Sequence, residues 1–464
     1  MKKDKKKTDF RTYFAGKRIT MLGLGLLGRG VNVAKFLARH GAILTVTDMK
    51  TRDDLASSVR ALEKFPSVTF VLGGHRIKDF RSADMVMKAA GVPLDSPYVK
   101  EARTRRIPVH MDASLFARLA PAGVRIVGVT GTRGKSTVAH LIFHILHEAG
   151  MRAHLAGNVR GRATFPLLEK VGKGDIVVLE LDSWQLQGFG DERISPHVAV
   201  FTNLMRDHMN YYAGNMHAYF KDKAHIFSHA GNETLIVGED LAPALRRFFG
   251  ARAGKMLPAR RKTARRRDIP RSWKPHIFGV HNEKNIALAA AACCALGVSE
   301  RNIKKGVESF SGVPGRMEFV RTVRGVSFYN DTTATTPDAL RASLRALFEK
   351  EKRKIVLIAG GSDKNLSFEG IEKDMRACAQ AVVFLPGTAT ARMIERLAQK
   401  RKPMDEWRPP AFLARGMPEA VRIAAKEAGE KGAVLLSPGA ASFGLFRNEF
   451  DRGEKFVRAV HRLR

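Results

Sequence analysis

The chain is short of cysteine: it has three, Cys293, Cys294 and Cys378, and none stands at a metal-ligand or redox spacing. That excludes a disulfide framework and a structural zinc module, and it fits a reducing cytoplasm. Long apolar runs are missing as well. The longest, IALAAAACCALGV at 286–298, is too short to span a bilayer, and the basic start MKKDKKK is not followed by the apolar core of a secretory leader. Aromatics are sparse at 8%, and neither dense basic stretch, residues 1–7 or 251–274, is interleaved with them. A stacking platform for single-stranded nucleic acid therefore has no basis. Acid is scarce too, with 45 Asp and Glu against 80 Lys and Arg, a net charge of +35. Such an excess raises nucleic acid as a partner, but the cations are scattered over helix faces throughout, as a general basic bias would leave them. No internal repeat or low-complexity region occurs.

What is present is a globular composition, 44% apolar in 464 residues, long enough for about three domains. Its central signal is RIVGVTGTRGKST, Arg125 to Thr137: a β-branched run, a glycine turn, then Lys135-Ser136-Thr137 opening a helical pattern. Gly131 and Gly134 let backbone N–H groups close around phosphate oxygens, and the helix N-terminus adds partial positive charge. Lys135 supplies a point charge for the β- and γ-phosphates and Ser136 a hydroxyl for Mg²⁺. The strict pattern wants glycine where this chain has Val129, with Gly128 one place earlier. The flanking strand and helix still argue for ATP or GTP binding.

A second glycine turn, Gly23-x-Gly25-x-x-Gly28, follows the strand Arg18–Leu22, and strand ILTVTD ends in Asp48, twenty positions after the last glycine. By itself this βαβ opening reads as a dinucleotide or other ribonucleotide diphosphate site. Beyond Pro121-Ala122-Gly123, strands RIVGVT, DIVVLEL, HVAVFTN and TLIVG alternate with helical patterns, as in a buried parallel sheet. Ligands of such sheets sit beyond the carboxyl ends of the strands, where Glu180, Asn203, Asp207 and His208 fall. A carboxylate and an imidazole beside a phosphate loop are plausible Mg²⁺ ligands. Val313-Pro314-Gly315-Arg316 makes a hinge-like break before a third segment with strands GVSFYND, KIVLIAGG, AVVFLPG and AVLLSPG. The expected fold is α/β in three domains: a Rossmann-like domain at 1–112 with a basic tail at 1–14, a central P-loop parallel-sheet domain at 113–314, and a C-terminal Rossmann-like domain at 315–464.

Taken in order, TGTRGKST, AGNVRG, ELDSWQL, TNLMRDHMNYY, GVHNEKN, PGRMEF and YNDTTATT resemble the motif series of the Mur ligases, ATP-dependent amino-acid-adding enzymes of peptidoglycan precursor synthesis. The compact first domain with GLGLLG, ELDSWQL and the terminal LLSPGAAS look like the D-glutamate-adding branch. The resemblance replaces the nicotinamide reading: Leu26, Leu27, Asp48, Gly91 and Asn158 would meet UDP-N-acetylmuramoyl-L-alanine. It implies ATP on Gly131, Thr132, Gly134, Lys135, Ser136, Thr137, Asn282, Asn285, Arg316 and Asp331. It also implies two Mg²⁺ sites, with Ser136 and Glu180 on one metal and His208 on the other. Lys223, fifteen residues after His208, matches a family lysine carbamylated to a metal-binding carboxylate, making Lys135, His208 and Lys223 the catalytic set. D-Glutamate would meet Lys364, Ser442, Phe443 and Thr335. No membrane or nucleic-acid partner is implied, and a cytoplasmic monomer is expected.

Departures from the family pattern stand at Thr333, where lysine is frequent, and at Glu449, Asp182 and Arg133. Near the uracil, Ala89-Ala90-Gly91 replaces Ser-Pro-Gly, and Lys50 stands in for a nearby arginine. A Mur-type or folylpolyglutamate-type ligase with another acceptor, a nucleotide-switched nucleic-acid binder and a nicotinamide oxidoreductase are the competing readings.

Overall fold

The computed structural model describes residues 9–25, 28–159, 161–229, 234–250, 260–398 and 409–463. These form three sheets. The first contains β1 (Arg18–Leu22), β2 (Ile43–Asp48), β3 (Val68–Leu72), β4 (Met85–Lys88) and β5 (Val109–His110), ordered β3-β2-β1-β4-β5 and parallel throughout. The chain leaves β1 toward one edge and returns to β4 on the other side, so the sheet reverses its winding between β1 and β4. That is where a doubly wound sheet opens a crevice for ligand.

The second sheet holds β6 (Arg125–Thr130), β7 (Ala153–Gly157), β8 (Ile176–Glu180), β9 (Val198–Phe201), β10 (Thr234–Gly238) and β11 (Arg260–Ala264). Its order is β11-β10-β9-β6-β8-β7, again parallel. Every residue of β8 and β9 is buried, as their unbroken apolar sequences require of strands covered on both faces. The edge strand β11 instead exposes Arg260, Arg261 and Lys262. Charge on an edge blocks strand-on-strand pairing with other chains, which accounts for part of this basic stretch without a nucleic acid.

The third sheet adds β12 (Glu318–Val323), β13 (Val326–Asn330), β14 (Ile355–Ala359), β15 (Ala379–Phe384), β16 (Ala411–Leu413) and β17 (Ala433–Leu436). The order is β12-β13-β17-β14-β15-β16, with β12 antiparallel to β13 and the remaining pairs parallel. The sheet is therefore mixed.

The chain divides into two compact units, 1–270 with 284–307, and 271–283 with 308–464. The first unit holds the first two sheets and the second unit the third. Within the first unit the two sheets share a core. Phe14, Phe36 and Phe165 are all buried, and the rings of Phe36 and Phe165 stack at 5.4 Å between centroids. Phe14 comes from a short helix, Phe10–Phe14, inside the expected basic tail; residues 1–8 lie outside the described ones. Ionic links reinforce the seam: Arg103 pairs with Asp191 at 2.9 Å, and Glu192 takes both His110 and Arg118. Among the described residues no helix is long and apolar enough to cross a membrane.

Candidate active site

The phosphate loop joins β6 to the helix Lys135–Glu148. Its glycines are forced by space. Gly131 has φ 142°, and a Cβ there would lie 1.9 Å from Thr202 Oγ1; Gly134 has φ 83°, and a methyl would come within 2.4 Å of Asn285 Oδ1. The loop is fastened from outside by the segment after β9. Thr132 N–H donates to Asn203 O at 3.0 Å, Arg133 N–H to Asn203 Oδ1 at 2.9 Å, and the Arg133 guanidinium pairs with Asp207 at 2.7 Å. Arg133, a departure at the level of sequence, thus has a local partner. Lys135 folds back over the loop, its Nζ 3.0 Å from Gly131 O and 3.1 Å from Thr132 O. Ser136 and Thr137, the next two residues, are both buried.

Lys223 arrives from the helix Met216–Ala224. It is 1% exposed, its Nζ donates to Gly131 O at 2.9 Å and lies 4.8 Å from the Tyr219 ring centroid. Burial, and then the neighbouring Lys135 charge, hold its ammonium well below the usual lysine range. His208 takes a left-handed backbone, φ 54°, and packs on Trp184 at 4.8 Å between rings. Burial lowers its pKa, Asp207 opposes that shift, and Lys135 and Lys223 add to it. The structure therefore gathers Lys135, Lys223 and His208 at one loop. Glu180 ends β8 and is buried, with its carbonyl accepting Asn158 N–H at 2.7 Å. Asp182 caps the helix Ser183–Glu192 in a capping box with Gln185, a use that serine could also serve.

In the first sheet, Gly23, Gly25 and Gly28 all have positive φ. Asp48 braces the turn they form: Oδ2 accepts Leu24 N–H at 2.8 Å and Gly25 N–H at 3.1 Å, while Oδ1 accepts Lys50 N–H at 3.0 Å. The acid expected at the ligand thus also shapes the turns around it. Leu26 and Leu27 lie outside the described residues. A cavity of about 270 Å³ opens at the carboxyl ends of β2 and β3, lined by Thr51, Arg52, Phe70, Leu72 and Gly73. Gly91 lies in the turn after β4.

Sequence reasoning missed Arg29. It is the first residue of the helix Arg29–Arg39, and its NH2 donates to Asn158 Oδ1 at 2.8 Å, joining the glycine turn to the AGN segment of the second sheet. A cation at a helix N-terminus opposes the helix dipole. That misplaced charge was the available signal.

In the second unit, the carboxyl ends of β13, β14 and β17 carry the expected amino-acid residues. Lys364 Nζ donates to Thr335 Oγ1 at 3.1 Å. Ser442 is buried, while Phe443 is 67% exposed and its carbonyl accepts Ser362 Oγ at 2.5 Å. Asp331 is buried just past β13; it accepts from Ser343 Oγ at 2.5 Å, Met317 N–H at 3.1 Å and Ser437 Oγ at 3.3 Å. Burial pushes its carboxyl up to about 6, against which the Arg316 charge and these donors act. Asn282 is buried, its amide donating to Phe278 O at 2.9 Å. Asn285, of the first unit, lies against Gly134 as described. Arg452 was also missed: it is fully buried, with Nε and NH2 donating to Thr332 Oγ1 and O at 3.2 and 2.8 Å, and NH1 to Ala440 O at 3.1 Å.

Comparison with known proteins places family matches over all three sheets. Residues 17–111 match the Mur ligase MurD-like N-terminal domain, 129–256 the Mur ligase middle domain, and 315–440 the Mur ligase glutamate ligase domain. The chain is 38% identical over 472 aligned positions to a UDP-N-acetylmuramoylalanine–D-glutamate ligase of Roseiflexus sp. (strain RS-1), covering 96% of this chain and 98% of that one. It is 33% identical to the enzyme of the same name from Borreliella afzelii (strain PKo), covering 96% and 97%. Among solved structures it is similar in fold to the UDP-N-acetylmuramate-alanine ligase MurC of Thermotoga maritima, with a TM-score of 0.59 at 18% identity over 96% of this chain and 99% of that one.

Proposed function

The chain belongs to the Mur ligase family, and from that membership we propose that it joins D-glutamate to UDP-N-acetylmuramoyl-L-alanine with cleavage of ATP to ADP and phosphate, in the cytoplasmic synthesis of peptidoglycan precursors. The observation that carries the reading is the convergence of Lys135 and Lys223 on the Gly131 carbonyl, at the mouth of a phosphate loop.

The alanyl carboxylate takes the γ-phosphoryl group of ATP, breaking the bond to ADP and leaving an acyl phosphate. The amine of D-glutamate then attacks the acyl carbon. The tetrahedral adduct expels phosphate, and the amine proton passes to solvent or a nearby base. Phosphoryl transfer of this kind depends on positioning and charge neutralisation. Lys135 and the loop N–H groups neutralise the transferred phosphoryl oxygens, while Gly131, Thr132, Gly134, Ser136, Thr137 and Asn285 hold the nucleotide. Asp48, Gly91 and Asn158 seat the UDP-sugar, and Lys364, Thr335, Ser442 and Phe443 receive D-glutamate.

The residues present suit Mg²⁺. Ser136 and Glu180 offer hard oxygen donors, and Thr130 Oγ1, buried at the end of β6, has no hydrogen-bond partner among the described residues. Mg²⁺, when bound, supplies charge neutralisation at the phosphates. Among the described residues no three His, Cys, Asp or Glu are grouped to hold a metal unaided. His208 and Lys223 would form the second donor pair, Lys223 through a carbamate, made when its deprotonated amine adds to CO₂ and releases a proton.

Phosphate release with ATP, Mg²⁺ and UDP-N-acetylmuramoyl-L-alanine, measured across D- and L-amino acids, tests the reading. Release confined to D-glutamate supports it. Release with another amino acid keeps the ligase and changes the acceptor, the reading that Thr333 favours by leaving one fewer cation for a dicarboxylate. No release with any of them rejects both.

A further inference from the structure

Lys88, the last residue of β4, is 3% exposed. Among the described residues no carboxylate pairs with it directly. Its Nζ instead donates to three backbone carbonyls of the turn that follows: Ala89 at 3.2 Å, Ala90 at 3.4 Å and Val92 at 2.5 Å. Taking an ammonium out of water without a counter-ion is costly, so such a group persists where the geometry it enforces matters. All three donors are spent on the turn, and none remains for a ligand.

The turn itself is a four-residue reversal, Ala89-Ala90-Gly91-Val92, closed by Val92 N–H to Ala89 O at 3.1 Å. It leaves β4 directly beside the glycine turn that leaves β1. Leu22 pairs with Lys88 across the two strands, Ala89 N–H donates to Leu22 O at 2.9 Å, and a Cβ on Gly23 would lie 3.0 Å from Ala89 Cβ and 3.6 Å from Val92 Cγ2. These two turns are the walls of the crevice between β1 and β4. Ala90 occupies the second position of the turn, where proline, with its fixed φ, is favoured. Its N–H donates to no protein acceptor among the described residues.

We propose that Lys88 is a positioning residue for the nucleotide end of the UDP-sugar, giving the Ala89–Val92 turn, from within, the rigidity that a proline at position 90 would otherwise supply. The inference rests on the assignment of the first sheet to the UDP-sugar. More remote charges act on the ammonium from the second sheet's helices, Asp191 and Asp182 first, then Asp222, with Arg103 opposing them from the helix Pro97–Thr104. They stabilise the buried cation without holding the turn.

Three variants decide it: Lys88→Met, Ala90→Pro and the double variant, assayed by phosphate release with each substrate varied in turn. Lys88→Met is expected to raise KM for UDP-N-acetylmuramoyl-L-alanine about tenfold while kcat and the KM for ATP and D-glutamate stay within about twofold, the pattern of lost ground-state binding. Ala90→Pro alone should change little, and in the double variant it should recover most of the lost affinity. An unchanged KM in Lys88→Met, or a loss that spreads over every parameter and is not recovered by Ala90→Pro, overturns the proposal. Should Lys88→Met not fold, Lys88→Gln, which keeps two N–H donors, carries the same comparison. Wild-type turnover separates the two levels: no turnover rejects the functional reading, whereas normal turnover with an indifferent Lys88 variant rejects only this inference.

Discussion

Lys135 and Lys223 donate to one acceptor, the carbonyl oxygen of Gly131, at 3.0 and 2.9 Å. Burial first, and then the Lys135 charge, disfavour the ammonium form of Lys223. Lys135 lies at the open side of the loop, where phosphate would neutralise it. Lys223 is sealed in, and burial holds its pKa well below the usual lysine range.

That relationship predicts opposite effects on stability and activity. The folded pKa of Lys223 lies well below 10.5, so between the two values the native state binds fewer protons than the unfolded state, and stability rises with pH across that window. At neutral pH the group therefore costs stability. Lys223→Met should raise Tm, more at pH 6 than at pH 9 in CO₂-depleted buffer, while lowering turnover by about 10²-fold or more. Thermal melts across pH with parallel phosphate-release assays check it, and a lower Tm in the variant at pH 6 would contradict the sign. In Lys223→Ala, millimolar acetate should restore part of the activity by filling the place of the carbamate.

Asp331 titrates in the other sense. Its carboxyl is pushed from 3.8 up to about 6, so the folded second unit binds more protons than its unfolded chain between those values. Stability falls as pH rises from about 4 to about 6. Asp331→Asn, which keeps an acceptor for Met317 N–H, should flatten that decline, with its largest gain in Tm above pH 6. The melting temperature of the second unit's transition, followed from pH 4 to pH 8, tests this. An equally steep decline in the variant would assign the effect elsewhere.

Arg452 ties the segment after β13 to the segment after β17, through Thr332 and Ala440. Both segments carry residues expected at D-glutamate, Thr335 and Ser442. Arg452→Met leaves the Thr332 and Ala440 carbonyls buried without their donor, at about 1–3 kcal/mol for each, while the Thr332 hydroxyl keeps its bond to Glu449 O. The expected outcome is a lower Tm and a KM for D-glutamate raised about tenfold or more, with the KM for the UDP-sugar unchanged. Equal shifts in every KM would mean general unfolding.

These residues mark where sequence stops being informative. The strands of the parallel sheets were readable because β8, β9 and β14 are covered on both faces and so are written as unbroken apolar runs. The antiparallel β12, with Phe319 exposed, and the short β16 lack that signature. At the site, Gly131, Gly134 and Lys135 were legible because phosphate chemistry fixes their spacing. Lys223 and Lys364 were reached only through resemblance, since nothing local distinguishes a buried lysine from a solvated one on a helix or loop, whereas His208 was legible from its place beyond the strand ends beside a carboxylate. Arg29, Lys88 and Arg452 act through partners far away in sequence or through backbone carbonyls, and a carbonyl leaves no mark in the sequence.

Thr333 tests whether the chain manages with fewer cations for its amino acid. Its hydroxyl donates to Gly315 O at 3.0 Å, so it anchors the segment after β13 to the stretch before β12. Thr333→Lys exchanges that neutral hydrogen bond, worth about 0.5–1.5 kcal/mol, for a charge-assisted contact worth about 1.5–3 kcal/mol. If the lysine reaches a carboxylate of D-glutamate, the KM for that substrate falls by up to about tenfold, and the gain shrinks as ionic strength rises. If instead the KM rises while Tm drops, the Gly315 anchor outweighs the added cation. The dicarboxylate would then be held by Lys364 together with the backbone around Ser442, which Ser442→Pro, by removing an N–H, is the next variant to examine.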